Sequence, residues 1–401
     1  MEEFSTAKHK LSSEDYPEFI KYMGSKSKII DFVMEGINSV YNGGYVCDLF
    51  AGSASLSGAL SQQVPVHSND IQAYSGTIAK AYLLTSSEYI SIDEIISQAN
   101  DIHSKNLNSL YIEIHDYNKD VSLDEFNEIE KAQQQLIFHD FQGQWQLFTK
   151  NYSGTWWSAN QCLWIDAIRE VAENYKGTPS YNLILSALMY AMAYSSQGTG
   201  HYAQYRDAKT ESSMKDISIY RKKSVVEYFT RKYISSINQL NHLQKLPHKI
   251  TTLDYKDCLN NIDNSTVYAD PPYCFVHYSR FYHALETVVL YDHPNIQVKG
   301  GRFVKGRYRE NRHQSPFSIK TQVSSAFSQL FKGVRETKSN LALSYSNTGM
   351  ISIEKVIELA ETELGPSYDL NLLTIDHKHM TLGRRLDRDR EVKECLFLAK
   401  L

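Results

Sequence analysis

Residues 268–273 place a carboxylate, two prolines and an aromatic ring directly after a short β-branched run. Two consecutive prolines fix two φ angles and remove two backbone donors, so this segment cannot continue a central strand. Asp270 and the carbonyl of Pro271 can both accept hydrogen bonds from one exocyclic amine, which localises the lone pair on its nitrogen. Tyr273 can stack on the ring that carries the amine. The segment Asp270, Pro271, Pro272 and Tyr273 therefore predicts activation of a heteroaromatic amine, and the alternative is a simple turn with a surface tyrosine.

A second group of residues predicts a nucleoside-type cofactor. Small residues form the loop D-L-F-A-G-S-A-S at 48–55 after an apolar run. Such a loop between a strand and a helix lets the backbone approach a ligand, and the helix N-terminus offers free N–H groups. Asp70 follows about twenty residues later, where a carboxylate can accept hydrogen bonds from both hydroxyls of a ribose. The absence of G-x-G-x-x-G from the loop disfavours a nicotinamide or flavin cofactor.

Two polar segments could contact nucleic acid. Stretch 298–313 is basic, contains glycines and aromatic residues, and could neutralise phosphates, whereas loop 198–207 could contact base edges. The structural alternatives are a solvated loop and a plain connection between helices. The predicted DNA-contacting residues are Lys299, Arg302, Lys305, Arg307, Arg309 and Arg312 in the first segment and His201, Gln204 and Arg206 in the second.

The elements that must position these residues alternate between strands and helices. Apolar, strand-like runs at 45–50 and 64–70 are each followed by a segment with helical spacing, which is typical of the start of a doubly wound sheet. Strand signals return in the second half of the chain, at 249–255, 265–270, 341–346 and in a hairpin-like pair at the end.

Residues 85–245 have a different pattern, with helical periodicity and few strand signals. Ser122 and Glu125 form a plausible capping box at the start of one of these helices. We therefore predict an α/β fold, in which a Rossmann-like sheet formed by residues 1–84 and 246–401 is interrupted by a mostly helical insertion.

Composition bounds the class of protein. The 401 residues are 42% hydrophobic, as expected of a globular protein, and the net charge of −4 argues against a uniformly basic nucleic-acid coat but permits a local basic groove. The five cysteines have no CxxC spacing, which predicts a reducing cytoplasm and neither a disulfide framework nor a metal site. No apolar run approaches the length of a membrane span, so we expect no membrane association.

Taken together, K-Y-M-G-S-K at 21–26, the loop at 48–55, Asn69-Asp70 and D-P-P-Y resemble, in this order, a known family. They are similar to the S-adenosylmethionine-dependent DNA adenine-N6 methyltransferases of the D12 class, the Dam-like type with the α-group motif order. The resemblance covers about 1–84 and 246–401. It implies a class I methyltransferase sheet, methyl transfer to a flipped adenine, and a helical insertion, 85–245, that serves as the target-recognition region.

The resemblance also implies the roles of individual residues. D-P-P-Y matches the catalytic motif, Asp70 the carboxylate that binds the ribose, and Ile71 its apolar neighbour. One departure is Ala54, where glycine is common. The residues that match cofactor motifs are Lys21, Tyr22, Gly24, Lys26, Asp48, Phe50, Ala51, Gly52, Ser53, Asp70, Ile71, Asp254 and Tyr255.

Other functions fit part of the pattern. D-P-P-Y does not separate amino-group acceptors, so cytosine N4 in DNA and adenine in RNA are alternatives on the same fold. A non-catalytic DNA-binding subunit is a different class, and the intact Asp270 and cofactor motifs speak against it. Beside DNA, a cognate restriction endonuclease is a candidate partner.

Overall fold

In the part of the chain that the structure describes, seven strands form one sheet and two short strands form a separate hairpin. The computed structural model describes residue 11 and residues 16–110, 112–198, 200–240, 246–380 and 389–401. The strands in these ranges are β1 (Val46–Asp48), β2 (Val66–Asn69), β3 (Lys249–Thr251), β4 (Thr266–Ala269), β5 (Val298–Lys299), β6 (Arg302–Phe303), β7 (Asn340–Ser346), β8 (Asp369–Met380) and β9 (Asp389–Lys400).

Helices cover both faces of the sheet and fill the segment between β2 and β3. In the described ranges they are α1 (Ile30–Val40), α2 (Ser55–Leu60), α3 (Ala73–Leu83), α4 (Ile92–Asn108), α5 (Leu123–Gln134), α6 (Leu147–Tyr152), α7 (Ala159–Glu173), α8 (Pro179–Ser195), α9 (Glu211–Arg221), α10 (Val225–Leu240), α11 (Tyr255–Leu259), α12 (Tyr278–Phe281), α13 (His283–Leu290), α14 (Val323–Glu336) and α15 (Ile353–Leu364). Short 3-10 helices span Lys26–Ile29, Gln135–Phe138 and Pro316–Ser318.

The central strands β1 and β4 lie side by side in parallel, with Cys47 opposite Val267. The sheet continues from β1 to β2 and β3 on one side, and from β4 to β7 on the other. Strand β9 inserts antiparallel between β7 and β8. This arrangement confirms the predicted Rossmann-like sheet and its closing hairpin. It also creates a topological switch point between β1 and β4, where ligands bind in open α/β sheets.

Alternate residues of the buried strands pack against different helices. Val46 of β1 belongs to a core that contains Val33 of α1 and Ile78 of α3, whereas its neighbour Cys47 belongs to a core that contains Phe331 of α14. Every residue of strands β1, β2, β4 and β7 is buried, as expected for the interior strands of a sheet that helices cover on both faces.

The segment predicted to be helical contains α4 to α10. Ser122 caps α5, since its side chain accepts a hydrogen bond from the N–H of Glu125, which is one of the two hydrogen bonds of the predicted capping box. Ile168, Leu185 and Phe229 of these helices share one buried core with residues of α3 and β1, so the helices pack directly onto the sheet layer. The functional division into catalytic and recognition regions stays a prediction. No helix in the described ranges is both long enough and apolar enough to span a membrane.

Candidate active site

One pocket opens where the carboxyl ends of β1, β2 and β4 meet, at the switch point of the sheet. Its walls come from the loops that follow these strands, from residues 253–255 and from the segment around Tyr22 to Lys26. It gathers nearly all of the residues that the sequence predicts for the cofactor and the catalytic motif. Predicted residues on its lining are Tyr22, Gly24, Lys26, Asp48, Phe50, Ala51, Gly52, Ser53, Asp70, Ile71, Asp254, Tyr255, Asp270, Pro271, Pro272 and Tyr273.

Lys21 is the predicted cofactor residue that the structure places elsewhere. It does not belong to the residues that line the pocket. Its ammonium nitrogen lies 3.9 Å from the centroid of the Tyr194 ring, on helix α8. The roles of all these residues stay predictions.

The loop after β1 has a backbone that only small residues can adopt. Gly52 has φ +54°, and a Cβ at this position would lie 2.8 Å from the ring of Tyr22. Ala54 also has a left-handed φ of +54°, at the N-cap of α2. This conformation costs an L-residue about 1–2 kcal/mol, which gives a physical reason for glycine at the position of Ala54.

Asp70 is fixed by two backbone donors. Its Oδ2 accepts a hydrogen bond of 2.8 Å from the N–H of Gly52, and its Oδ1 accepts one of 2.8 Å from Gln72. Burial raises the pKa of this carboxyl, whereas the backbone donors act in the opposite direction. Each oxygen of a carboxylate has a second lone pair, so Asp70 can still accept two hydrogen bonds from a ligand. Its neighbour Ile71 is 38% exposed and offers an apolar surface to a flat ring.

Asp48 at the end of β1 is almost fully buried at the base of the pocket. Burial raises the pKa of its carboxyl to about 7, although a hydrogen bond of 2.8 Å from the Ser57 hydroxyl opposes the shift. The charges of Asp70 and Asp270 add to it. The pocket therefore concentrates four carboxyl groups, those of Asp48, Asp70, Asp254 and Asp270, which is typical of a site that binds polar ligand groups.

A buried lysine links the catalytic motif to the far end of the chain. The Lys26 Nζ lies 3.4 Å from Asp270 Oδ1, 3.2 Å from Glu394 Oε2 and 3.3 Å from the Tyr273 hydroxyl oxygen, to which it donates. The Tyr273 hydroxyl in turn donates to Glu394 Oε1 at 3.0 Å. Burial lowers the pKa of Lys26, but the charges of Asp270 and Glu394 outweigh this effect and raise it above the ordinary value. The ammonium group is therefore a stable positive charge beside Asp270.

Glu394 is a site residue that the sequence analysis missed. It lies on β9, opposite Ser346 of β7, and is 1% exposed. No motif marks it. The available signal was one glutamate before the apolar run C-L-F-L-A in a predicted strand, because charged residues are rarely buried without a partner.

Aromatic residues after the catalytic motif were also missed. Tyr22 stacks against Tyr282 at 4.8 Å and against Tyr278 at 5.5 Å between ring centroids. The hydroxyl of Tyr282 accepts a hydrogen bond of 2.7 Å from the backbone N–H of Met23. These contacts join α12 and α13 to the N-terminal motif. Further lining residues that were not predicted are Ser55, Leu56, Gln72, Tyr74, Val276, Ser279, His313, Ser315 and Pro316.

The basic stretch 298–313 divides into exposed and buried cations. Lys299 and Arg302 lie exposed on the β5–β6 hairpin, as expected for residues that contact phosphates. Arg307 is buried, and its guanidinium donates to the carbonyl oxygens of Asn151 at 2.6 Å and Gln134 at 3.0 Å. Its side chain is therefore committed to the interior of the helical layer.

The other cations of the stretch are paired within the protein. Both terminal nitrogens of Arg309 donate to the carboxylate of Asp292 at 2.6 Å. Lys305 forms an ion pair with Asp207, and Arg312 donates to the backbone carbonyl of Arg309. A phosphate would have to compete with these partners.

Loop 198–207 is described except for residue 199. His201 stacks on Phe281 of α12 with 4.5 Å between ring centroids, and Gln204 is exposed. Arg206 lies 3.9 Å from the carboxylate of Asp216 and 5.8 Å from the ring centroid of Tyr220. The loop thus contacts α9 and α12, near the pocket residues of α12.

Two thiols and an imidazole meet behind the pocket, although the sequence analysis found no metal-type spacing. Cys258 Sγ lies 4.0 Å from Cys47 Sγ and 4.0 Å from His67 Nε2. The same imidazole nitrogen lies 2.9 Å from the Thr251 hydroxyl oxygen, within hydrogen-bonding distance. Structural zinc sites have four ligands, and the described residues supply three donors of this kind here. We therefore interpret the cluster as packing between β1, β2 and α11.

Comparisons with known proteins agree with this geometry. A family model of D12 class N6 adenine-specific DNA methyltransferases matches residues 22–343. Modification methylase LlaI of Lactococcus lactis subsp. lactis is 23% identical over 347 residues, which are 85% of this chain and 48% of that protein. Modification methylase StsI of Streptococcus sanguinis is 22% identical over 390 residues, 94% of this chain and 51% of that protein.

A shorter relative is covered more fully. Type II methyltransferase M.NlaIII of Neisseria lactamica is 21% identical over 352 residues, 85% of this chain and 88% of that protein. The chain spans about half the length of the first two relatives. The family model covers most of the chain, from the segment around Tyr22 to strand β7. The chain therefore belongs to the D12 class N6 adenine-specific DNA methyltransferase family.

Proposed function

We propose that this chain is a site-specific DNA methyltransferase that transfers a methyl group from S-adenosylmethionine to N6 of adenine. The observation that carries the proposal is the shared pocket. Asp270, Pro271 and Tyr273 line the same cavity as Asp70 and the small-residue loop after β1. An amine-binding corner and a nucleoside-binding edge in one cavity are what a methyl transfer between two such groups requires.

The residues present fit S-adenosylmethionine. Asp70 keeps two lone pairs that can accept from the ribose hydroxyls, and Ile71 offers an apolar surface to the adenine ring. Because Gly52 has no side chain, the Tyr22 ring can pack directly against the loop after β1, and both line the pocket. When bound, the cofactor supplies a methyl group on a sulfonium, which carries its own leaving group.

Asp270 and the Pro271 carbonyl would hold the target amine. Asp270 directly precedes the rigid proline pair and the Pro271 carbonyl lies within it, so both acceptors need little reorganisation when the base arrives. Two hydrogen bonds from N6 to these oxygens localise its lone pair toward the methyl donor. After transfer, the amine nitrogen must lose a proton, and the Asp270 carboxylate is the acceptor beside it.

Tyr273 would stack on the target base. Its hydroxyl is fixed between Lys26 and Glu394, and its ring packs edge-on against Tyr345. The ring is therefore oriented before the base enters. Base–aromatic stacking contributes roughly 1–3 kcal/mol, which offsets part of the cost of extruding the base from the duplex.

The helical segment between β2 and β3 would supply target recognition, with the exposed Lys299 and Arg302 on the neighbouring hairpin contacting phosphates.

Two of the relatives are named modification methylases. A restriction endonuclease that cleaves the same site is accordingly the partner that we propose for this chain in the cell.

Incubation with duplex DNA and cofactor labelled in the methyl group tests the function. We expect label in DNA and, after digestion to nucleosides, N6-methyladenine. Label in N4-methylcytosine would overturn the proposed acceptor. Transfer to RNA and not to DNA would overturn the substrate, and transfer to no nucleic acid would indicate a non-catalytic binding subunit.

A further inference from the structure

A cluster of cations and tyrosines covers the exposed side of α8, α9 and α10, beside the pocket. None of its cations belongs to the basic stretch 298–313 that the sequence analysis singled out. We call it the lysine–tyrosine cluster, and its members are Lys21, Tyr190, Tyr194, Tyr220, Lys223, Tyr228, Arg231 and Lys232.

The tyrosines form a stacked row that organises the cluster. Tyr190 stacks on Tyr194 with 4.3 Å between ring centroids, and Tyr194 stacks on Tyr228 at 5.7 Å. Helix α8 carries the first two rings and α10 carries the third. The row therefore fixes the relative position of two helices and presents ring faces to the charged side chains.

Each cation lies over one of these rings. Measured from the charged group to the ring centroid, Arg231 lies 4.8 Å from Tyr228 and Lys232 lies 4.9 Å from Tyr190. Lys223 lies 4.4 Å from the neighbouring ring of Tyr220. Contacts of this length attract a cation to a ring without neutralising its charge.

In the described part of the chain, the cations of the cluster form ion pairs with no carboxylate. Within the described ranges, no ion pair shorter than 4.0 Å involves Lys21, Lys223, Arg231 or Lys232. Partial burial and the charge of Lys223 lower the pKa of Lys21. Partial burial lowers the pKa of Lys232 to about 8, although the charge of Glu18 opposes this. Several like charges that form no ion pair within the described ranges make a surface that favours a polyanion.

The lysine–tyrosine cluster also lies next to the pocket. Lys21, over the ring of Tyr194, precedes Tyr22, which lines the pocket. At the other end, Tyr220 contacts both Lys223 and Arg206, and Arg206 belongs to the polar loop 198–207. The cations thus form a track that begins at the pocket and reaches a predicted recognition loop.

We propose that the lysine–tyrosine cluster binds the phosphate backbone of the duplex DNA substrate and positions the duplex over the pocket. This inference rests on the proposed function. Lysine and arginine contacts to phosphates supply affinity without sequence information, and tyrosine hydroxyls donate to phosphates as well. The sequence analysis assigned DNA contacts to Arg307, Arg309 and Arg312, but their side chains donate to oxygens of the protein. Arg231 and Lys232 of the cluster lie instead over ring faces.

The test compares two double variants of the full chain. Arg231→Gln with Lys232→Gln removes two charges from the cluster, whereas Lys332→Gln with Lys355→Gln removes two surface charges from α14 and α15, where each is paired with a glutamate. Fluorescence anisotropy gives the Kd for a labelled duplex at several salt concentrations. We expect the cluster variant to bind roughly 10- to 100-fold more weakly at 0.1 M salt, with a salt dependence lower by about two ions. The control pair should bind as the wild type does.

Two further measurements keep the outcome interpretable. The Kd for the cofactor and the Tm should be the same in the cluster variant as in the wild type, and Arg231→Lys, which keeps the charge, should bind DNA as the wild type does. Wild-type affinity and salt dependence in the cluster variant would overturn the inference, as would an equal loss in the control pair. If the wild type methylates DNA but the cluster variant binds DNA as the wild type does, the cluster is not the DNA-binding surface, and the proposed function stands. A wild type that methylates no nucleic acid refutes the function itself.

Discussion

The pocket and the basic stretch 298–313 differ in the environments that they provide for their charged groups. In the pocket, burial raises the pKa of Asp48 to about 7. In the basic stretch, Arg307 is bound to two backbone carbonyls and Arg309 to a carboxylate. The pocket thus holds a carboxyl group whose charged form is disfavoured by burial, whereas the basic stretch pairs most of its cations with oxygens of the protein.

This difference shows what separates a functional charge from a structural one. A charge that the fold satisfies contributes to stability, and a ligand would have to displace its partner. Strain and uncompensated groups persist where a bound ligand completes the site. Substitutions in the pocket should therefore affect activity more than stability, and substitutions of the buried cations should do the reverse.

The largest effect is expected at Asp270. Asp270→Ala removes one acceptor of the target amine and should lower the methyl transfer rate by roughly 10³-fold or more. Binding of the cofactor should change little, because Asp70 and the loop after β1 remain. Single-turnover transfer and calorimetric titration of the cofactor measure the two properties. Transfer at the wild-type rate would show that the corner is not catalytic.

The next effect is expected at Glu394, which we consider a positioning residue. Glu394→Gln removes one of the two charges that raise the pKa of Lys26, while the opposing effect of burial remains. Misplacement of Tyr273 and Lys26 should lower kcat by up to roughly 10²-fold.

The pH profile separates this role from a purely structural one. The ammonium form of Lys26 is lost as pH rises through its pKa, so the variant should lose activity at a lower alkaline pH than the wild type. Glu394→Asp, which keeps the charge, should restore part of the alkaline activity. A uniform loss at every pH, with no shift of the profile, would contradict the electrostatic role.

A smaller effect, on stability, is expected at Arg307. Arg307→Ala leaves the carbonyls of Asn151 and Gln134 without their donors and should lower the free energy of unfolding by about 2–4 kcal/mol. Its counterpart Arg302→Ala, on the exposed hairpin, should change it by less than about 0.5 kcal/mol. Urea denaturation measures both. Equal effects of the two substitutions would remove the distinction between satisfied and available cations.

The smallest effect is expected at Ala54. Ala54→Gly relieves the left-handed φ of +54° and should raise the free energy of unfolding by about 0.5–1 kcal/mol, after the greater chain entropy of glycine is taken into account. Ala59→Gly in helix α2 is the control and should lower it by at least about 0.5 kcal/mol. Thermal unfolding measures both variants. If the backbone of Ala54 were unstrained, both substitutions would lower the free energy of unfolding.

Most of the pocket could be predicted from the sequence because its residues follow strands closely. Asp48 and Asp270 come directly at the ends of apolar runs, and parallel strands bring their carboxyl ends to one edge of the sheet. Local patterns determine local conformation, so a strand, the residue at its end and the loop that follows can be predicted from one stretch of sequence.

Only the tertiary structure decided which charged side chains are available to a ligand. Glu394 lies 124 residues after Asp270 in the sequence, and no local pattern connects it to Lys26. The partners of Arg307 lie on the helical layer, and the cations over Tyr190 and Tyr228 come from segments without a motif. The physical reason is that ion pairing and burial depend on which distant segments pack together, whereas composition records only that a charge exists.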